Sequence, residues 1–532
     1  MSAGRRSSPW HTAALLGGLV LIGLALRLPS FGDSIWGDEL STNFVVHGFG
    51  IGNVISIIKG DQEGTPPLFF LLVWLTKGVG GAEGLRIVPL AAGLASIPLT
   101  YLVGIRTVGR SAATVAAALV TLGPFQIVYA TEARAYSLMM FFCLLATLTL
   151  LIALEDGRAR WWVAYSLSVA AAAYTHYTSV FVLIALFGWA FLARPDGRKP
   201  LLLANLGAAV LYLPWVPELL NDRHEPAARI IEQFHPLTFT NARIDLGQWS
   251  IGRPLFGVSQ LPGTVAICLI LAGVVVGAGG ALLRLRSGDQ GKGWRPRAEV
   301  TLVVLLAAAA PVGAVLDNFV GPSVFVPRNL ISSWPGLALT AGALVTAGRT
   351  PLRWAAVLSL LAGFAIGAVK TLEAKNQRPD YAAAARFIEH TGDPGAPVVE
   401  APELTPGPQT ALEAALAPEG DALPPDRKVF TLGLADSRTR FRAVKMGRAL
   451  NSTLPVPDPA TVARQAARDA DGGTLFLVGA DLTLEQLRAF PGPVSEFLRA
   501  LPPTYHEVES RSFPGLSIFP LGVHVLEGSK PS

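Results

Sequence analysis

The sequence predicts a polytopic α-helical membrane protein that ends in a water-soluble, mixed α/β domain. Of its 532 residues, 51% are hydrophobic and only 15% are charged, whereas soluble proteins carry about 25% charged residues. The apolar residues form long blocks up to Lys370 and thin out beyond it. Such blocks approach the roughly 20 residues that cross a bilayer core of about 30 Å. Because a backbone in lipid must satisfy its own hydrogen bonds, each block is predicted to be a helix.

We predict about eleven transmembrane helices, since the apolar blocks have this number. The first block follows Arg5 and Arg6 as a signal peptide would, but no small-residue cleavage site is evident after it, so it is predicted to be a retained helix. The predicted spans are 11–28, 85–105, 111–130, 135–154, 161–176, 178–193, 200–216, 261–283, 299–317, 329–347 and 354–370.

Loop charges predict the orientation. With the N-terminus in the cytoplasm, the short cytoplasmic segments hold sixteen Lys and Arg residues and the longer opposite loops hold eight, as the positive-inside rule requires. The sixteen are Arg5, Arg6, Arg106, Arg110, Arg158, Arg160, Arg194, Arg198, Lys199, Arg284, Arg286, Lys292, Arg295, Arg297, Arg349 and Arg353. We therefore expect a multi-pass protein of the cell (inner or plasma) membrane with an extracytoplasmic C-terminal domain.

One apolar block, at 66–79, is left out of the spans. It has only about fourteen residues, a length that favours an interfacial or re-entrant segment. Counting it as a span would move the basic clusters to the outside, against the charge bias. We therefore expect it to lie along the outer membrane face.

The chain is predicted to have two domains. Residues 1–370 form the membrane module, with external loops at 29–84 and 217–260, and residues 371–532 form the external domain. That domain is predicted to be mixed α/β, from an amphipathic helix near 380–390 and strand-like runs at 397–401, 428–434 and 474–479.

Composition argues against several other classes. The formal charge of +5 comes largely from the loop cations, so no nucleic-acid partner is expected. Cys143 and Cys268 lie inside apolar blocks, as inert cysteines do, and the external domain has no cysteine for a disulfide. No His/Cys cluster points to a metal, so the metal question stays open, with a divalent cation as a possible cofactor.

The first external loop carries the sequence Trp36-Gly37-Asp38-Glu39 shortly after the first predicted helix. Two adjacent carboxylates at a membrane surface can supply a general base or ligands for a hard cation. Taken alone, the pair is weak evidence of function and fits a solvated acidic loop better.

Three further external positions carry polar side chains at the membrane boundary. Glu132, Arg134 and Tyr136 lie in a tight turn between two spans, where an ionisable residue is costly unless it is paired or used. His176 and Tyr177 occupy another short turn, and Arg328 precedes a late span. Arginine suits forked contacts with phosphate oxygens. A structural Glu132–Arg134 pair and an interfacial His176 are the alternative interpretations.

The order of these motifs resembles a known family. The Asp38-Glu39 loop, Thr65-Pro66-Pro67-Leu68, Glu132-Ala133-Arg134-Ala135-Tyr136 and a late Pro-Arg before a helix are similar to the GT-C superfamily of membrane glycosyltransferases. The resemblance is to bacterial relatives of protein O-mannosyltransferases and of the lipid A aminoarabinose transferase. It covers roughly 11–370 and departs from the pattern at Thr65 and Asn329, where many relatives have His and Tyr.

The resemblance implies an inverting glycosyltransferase of the EC 2.4 class. It would move a sugar from a polyprenyl-phosphate donor to a glycan, lipid or protein acceptor on the extracytoplasmic face. Asp38 or Glu39 would be the catalytic base, with Glu132 assisting them or orienting Arg134. Arg134 and Arg328 would bind the donor phosphate, and membrane lipid would surround the donor's tail. Other substrate-binding residues would be Tyr136, His176 and Tyr177.

A transporter or flippase of lipid-linked sugars is the alternative. It would share the hydrophobicity and the helix count, but it predicts inverted repeats and ionisable residues near mid-membrane. The sequence shows no internal repeat, and its acids lie at the outer rim of the predicted spans.

Overall fold

The architecture comes from a computed structural model of the chain. The residues that it describes are 9–47, 50–59, 64–222, 235–252, 261–286, 298–393, 395–401, 409–417, 428–435, 439–440, 454, 456–515 and 520–529.

Helices make up most of the described residues before 373. They are α1 (Pro9–Arg27), α2 (Glu39–His47), α3 (Ile51–Ile57), α4 (Leu68–Thr76), α5 (Gly81–Thr107), α6 (Arg110–Leu122), α7 (Pro124–Ala130), α8 (Tyr136–Asp156), α9 (Ala159–Thr175), α10 (Ser179–Ala193), α11 (Arg198–Tyr212), α12 (Val216–Asp222), α13 (Phe239–Ile251), α14 (Thr264–Arg286), α15 (Ala298–Asp317), α16 (Trp334–Thr346) and α17 (Thr350–Thr371). A 3-10 helix, Pro327–Ser333, precedes α16.

The predicted helical membrane architecture is confirmed. Among the described residues, seven helices are long and apolar enough to cross a membrane, or eight if the bent pair α6–α7 is one span. The other predicted spans are shorter helices: α9 has 17 residues, α10 has 15 and α16 has 13. The block at 66–79 is also a short apolar helical segment, Leu68–Val79.

The chain divides into two compact units. The first comprises Met1–Pro29, Gly64–Leu72 and Arg86–Leu372, and the second comprises Ser30–Glu63, Val73–Leu85 and Glu373–Ser532. The division after Leu372 lies close to the expected domain boundary at 370. Most of the first external loop, however, groups with the C-terminal domain, and only its segment Gly64–Leu72 and Pro29 group with the membrane helices.

In the first unit, Arg27 donates hydrogen bonds to the backbone at the break between α6 and α7. These helices bend by 57° at Gly123, which leaves carbonyl groups at the end of α6 without helical partners. The buried Arg27 guanidinium donates to the carbonyl oxygens of Thr121 and Val120, each at 3.2 Å, and to its own helix at Gly23, at 2.9 Å. A charged side chain of α1 thus stabilises an irregular backbone inside the bundle.

Small residues allow α14 and α17 to pack backbone to backbone. A Cβ atom at Gly273 would lie 2.8 Å from the amide nitrogen of Leu360, and one at Gly363 would lie 2.7 Å from the carbonyl oxygen of Ala266. Such close approach between membrane helices depends on glycine at the contact.

The second unit contains a five-stranded sheet in the order β2-β1-β3-β5-β4. Strands β1, β2 and β3 are parallel, whereas β5 is antiparallel to both β3 and β4. The strands are β1 (Val398–Glu400), β2 (Val429–Thr431), β3 (Thr474–Ala480), β4 (Tyr505–Phe513) and β5 (Leu521–Gly528), and the helices are α18 (Tyr381–Thr391), α19 (Ala411–Leu416), α20 (Pro459–Ala470), α21 (Leu484–Ala489) and α22 (Pro493–Ala500).

The mixed α/β prediction for the tail is therefore confirmed. The amphipathic helix near 380–390 is α18, and the three predicted strand-like runs contain β1, β2 and β3. Strands β4 and β5 were not predicted. The interior residues of β4 are exposed, so its sequence has no alternating apolar face to indicate a strand.

Candidate active site

Aromatic rings join two turns of the first unit. The Tyr129 ring of α7 meets the Tyr136 ring of α8 edge to face at 5.4 Å between centroids. Tyr136 in turn lies 5.5 Å from the His176 ring. All three side chains are buried, so the Glu132–Arg134 turn and the His176 turn form one packed cluster.

His176 lies in the turn between α9 and α10. The positive charges of Arg134 and Arg328 both disfavour protonation of its ring. Burial, followed by the positive charge of Arg134 and then of Arg328, lowers the pKa of His176 to about 3. The imidazole is therefore neutral near pH 7. Its Nδ1 accepts from the Thr178 amide at 3.3 Å, so the ring proton is assigned to Nε2, which can donate to a ligand.

The structure thus brings together four of the predicted residues: Arg134, Tyr136, His176 and Arg328. Arg134 is 9% exposed, and Arg328 is half-buried in the 3-10 helix that precedes α16. Glu132 is half-buried in the same turn as Arg134, and its carbonyl oxygen accepts from the Arg134 amide at 2.7 Å.

Tyr177 makes different contacts. Its hydroxyl donates to the Asp222 carboxylate at the end of α12 and accepts from the Trp215 indole at 3.1 Å. Burial and the hydrogen bond to Asp222 raise the pKa of Tyr177. The phenol therefore stays protonated and ties the His176 turn to α12, a structural role that the sequence did not predict.

Asp38 and Glu39 lie in the second unit, at the start of α2. Glu39 is 1% exposed, and its Oε2 lies 3.3 Å from Nε of Arg378, whose side chain is 12% exposed. Asp38, one residue earlier, is half-buried. The two adjacent carboxylates thus have different environments: Glu39 is held in a buried ion pair, and Asp38 is more open to solvent.

Additional hydrogen bonds join the first external loop to the residues after α17. The Asn43 amide donates to the Gln409 side-chain oxygen at 3.0 Å, and the Ala382 amide donates to the Ser34 hydroxyl at 2.9 Å. The Ser30 hydroxyl donates to Gln377. The C-terminal domain therefore fixes the acidic loop along much of its length.

Sequence reasoning missed Arg378. It lies eight residues after the last predicted span, in the polar segment Lys375-Asn376-Gln377-Arg378, which resembles an ordinary linker. A basic residue close after the last span was the available signal, but nothing local pointed to Glu39 as its partner.

Within the described ranges, no group of three or more His, Cys, Asp or Glu side chains lies close enough together to hold a metal ion.

Comparisons with known proteins give a family match and several fold matches. Residues 64–217 match the family described as dolichyl-phosphate-mannose-protein mannosyltransferase. Comparison with curated protein sequences gave no match.

Two structures of ArnT from Cupriavidus metallidurans share the fold. The one bound to undecaprenyl phosphate has a TM-score of 0.53 at 13% identity, over 97% of this chain and 98% of the other. The apo form has a TM-score of 0.52 at 13% identity and the same coverage.

An oligosaccharyltransferase from Archaeoglobus fulgidus, tethered to an acceptor peptide containing the NVT sequon, matches with a TM-score of 0.50 at 13% identity. The match covers 94% of this chain and 72% of the other. With the helical membrane architecture and the family match, these likenesses identify the chain as a multi-pass membrane protein with the GT-C glycosyltransferase fold.

Proposed function

We propose that the chain is an inverting glycosyltransferase that takes its sugar from a polyprenyl-phosphate carrier on the extracytoplasmic side of the membrane. The observation that carries this proposal is that a buried arginine, Arg134, and a half-buried one, Arg328, both act electrostatically on His176, whose buried ring contacts Tyr136. Two cations close to one apolar cluster favour an anionic ligand. The match to ArnT bound to undecaprenyl phosphate supports a lipid phosphate as that anion.

The arginines and His176 serve the leaving group in this proposal. When the bond between the sugar C1 and the phosphate oxygen breaks, negative charge grows on the lipid phosphate. Guanidinium groups stabilise that charge through forked hydrogen bonds. The Nε2 proton of His176 is positioned to add one neutral donor, since Nδ1 is engaged by Thr178.

Asp38 is the proposed general base. The acceptor hydroxyl attacks C1, its proton passes to the Asp38 carboxylate, and the polyprenyl phosphate leaves with the bonding electrons. Glu39 is less suited to this step because its carboxylate is buried and paired with Arg378. We assign Glu39 a positioning role, and Glu132 the orientation of Arg134, with which it shares a tight turn.

The C-terminal domain is proposed to do two things. It holds the acidic loop through Arg378 and Gln409, and it guides the acceptor, a glycan, a lipid or a protein. The transporter alternative gains less support, since the fold matches are to glycosyltransferases.

A donor assay tests the proposal. Purified full-length protein in lipid nanodiscs is incubated with a panel of radiolabelled polyprenyl-phosphate sugars and candidate acceptors. We expect sugar transfer or slow donor hydrolysis with at least one donor, and loss of that turnover in Asp38→Asn. Turnover from soluble nucleotide sugars alone, with every lipid-linked donor left intact, would contradict the proposal.

A further inference from the structure

A group of buried polar atoms lies in the first unit beside the elements that carry Arg134 and Arg328. Both side-chain amide atoms of Gln126, Oε1 of Gln248, Nε1 of Trp249 and Oγ of Ser332 are buried, and none has a hydrogen-bond partner within the described ranges. The four residues are 1–5% exposed. Native proteins satisfy most buried polar atoms, so a local concentration of unsatisfied ones requires a reason.

These residues come from three elements that pack together: α7, α13 and the 3-10 helix Pro327–Ser333. A Cβ atom at Gly252, directly after α13, would lie 2.5 Å from Pro124 at the start of α7. Gln248 is one turn before Gly252, and its backbone carbonyl oxygen accepts a hydrogen bond from the Gly252 amide at 2.8 Å. The Trp334 indole, directly after the 3-10 helix, donates to the Trp249 carbonyl at 2.9 Å.

Two of these elements, α7 and the 3-10 helix, are next in sequence to the arginines of the proposed phosphate site or contain one of them. Helix α7 ends just before the turn that holds Arg134, and the 3-10 helix contains both Arg328 and Ser332. Ser332 therefore shares its 3-10 helix with Arg328, and Gln126 lies on the helix that precedes the Arg134 turn. Helix α7 is also the second half of a broken membrane helix, and discontinuous helices form substrate sites in membrane proteins.

The chemistry of the group points to a neutral ligand with several hydroxyls. An amide both donates and accepts, a hydroxyl does the same, and an indole donates. The nearest charge on α13 is Asp245, one turn before Gln248, and its carboxylate accepts from His235 at 2.9 Å. Amides, a hydroxyl and an indole suit the hydroxyl groups of a sugar, which both donate and accept hydrogen bonds.

We propose that Gln126, Gln248, Trp249 and Ser332 form a subsite for the sugar ring of the lipid-linked donor. The inference rests on the proposed function and deepens it: the arginines hold the phosphate, and these residues recognise the sugar. When a lipid without a sugar binds, these buried polar atoms keep no hydrogen-bond partner. The subsite therefore favours a sugar-bearing lipid over a bare one. A site built to hydrogen-bond hydroxyls discriminates strongly against ligands that lack them.

The test compares two probes, undecaprenyl-phosphate mannose and undecaprenyl phosphate without sugar, binding to the full-length protein in nanodiscs. The variants are Gln126→Met, Gln248→Met and Ser332→Ala, which remove the polar atoms at similar or smaller volume. In Gln248→Met we expect affinity for the sugar-bearing lipid to fall about 10- to 100-fold, the value of one or two hydrogen bonds, with affinity for the bare lipid unchanged.

Asn205→Leu is the matched control. Its amide is also inside the first unit, but it is satisfied by the Leu201 carbonyl at 2.9 Å and the Tyr165 hydroxyl. This variant should lose thermal stability and keep the wild-type preference for the sugar-bearing lipid. Ligand-free Gln126→Met should be at least as stable as wild type, since it removes an unsatisfied buried amide.

The outcomes separate the subsite from the proposed function. Retention of bare-lipid binding in any variant shows that it is folded. An unchanged preference for the sugar-bearing lipid in all three folded variants would overturn the subsite while leaving the function standing. If the wild-type protein binds neither lipid, the function fails and the subsite with it. Loss of the preference in the variants but not in Asn205→Leu supports the subsite.

Discussion

Glu39 and Arg378 form a buried ion pair in the second unit, with Nε and Oε2 3.3 Å apart and the carboxylate side chain 1% exposed. Glu39 begins α2, in the loop that follows the first membrane helix, and Arg378 follows α17, the last membrane helix. The pair connects the acidic loop to the C-terminal domain, so that domain contributes directly to the geometry of the proposed catalytic loop.

Arg378→Gln should destabilise the second unit and slow turnover. Removing one partner of a buried pair leaves an uncompensated charge and costs about 3–5 kcal/mol. In a double-mutant cycle with Glu39→Gln, part of that loss should be recovered, because both charges are then gone. Thermal unfolding and kcat, measured separately from the donor KM, check this. A positioning role predicts a lower kcat with donor KM unchanged.

Lys375→Gln is the matched control for that cycle. Lys375 pairs with Glu373 at 3.0 Å, but its side chain is 71% exposed. Exposed pairs contribute less than about 1 kcal/mol, so stability and kcat should stay close to wild type. Equal effects of the Lys375 and Arg378 substitutions would mean that Arg378 has no special role.

Asp38→Asn should slow turnover by a factor of about 10²–10⁴ while keeping donor binding. The amide retains the size and polarity of the carboxylate but cannot accept a proton, and removal of a general base costs about 10²–10⁴ in rate. Single-turnover assays with a radiolabelled polyprenyl-phosphate sugar measure the rate of sugar transfer in the variant and in the wild type. Near-normal rates in Asp38→Asn would return the catalytic role to Glu39 or Glu132.

Arg328→Ala and Arg134→Ala should each weaken donor binding by about 10- to 150-fold, the value of a charge-assisted contact. Arg353→Ala is the control, because Arg353 lies over the Trp354 ring at 5.5 Å near the start of α17. The dissociation constant of polyprenyl phosphate, measured at equilibrium, is compared between the two variants, the control and the wild type. If Arg328→Ala binds donor normally, its role is structural and Arg134 remains the better candidate.

Arg27→Met should destabilise the first unit. The guanidinium satisfies the Val120 and Thr121 carbonyls at the break between α6 and α7, and each buried carbonyl left unsatisfied costs about 1–3 kcal/mol. Thermal unfolding in detergent measures the loss, and Arg27→Lys should recover part of it because the ammonium can still donate. Wild-type stability in Arg27→Met would show that the break needs no side-chain support.

The loop charges predict an extracytoplasmic C-terminus. A reporter active only in the cytoplasm, fused after Lys370, should therefore be silent, and one fused after Arg286 should be active. The opposite pattern would reverse the topology and place the Asp38 loop and the Arg134 turn on the cytoplasmic face.

The sequence by itself determined the features that depend on neighbouring residues. Apolar blocks of membrane length predicted the helices, because lipid forces a backbone to bond within its own segment. Strands β1 to β3 were predicted for a similar reason, since runs such as Thr474–Ala480 are almost wholly apolar. The turn residues Arg134, His176 and Arg328 were also identified as candidates, because charge and polarity are unusual at membrane boundaries.

The tertiary structure decided which of those residues meet and which environment each has. The sequence favoured Asp38 over Glu39 as the base without deciding between them, and the structure distinguishes them by the burial of Glu39 and its contact with Arg378. It likewise gave no sign that Tyr177 pairs with Asp222, or that the side-chain amide of Gln126 and Oε1 of Gln248 are buried without hydrogen-bond partners among the described residues. Ion pairs and desolvation depend on distances between segments far apart in the chain, and no local pattern of hydropathy or charge encodes those distances.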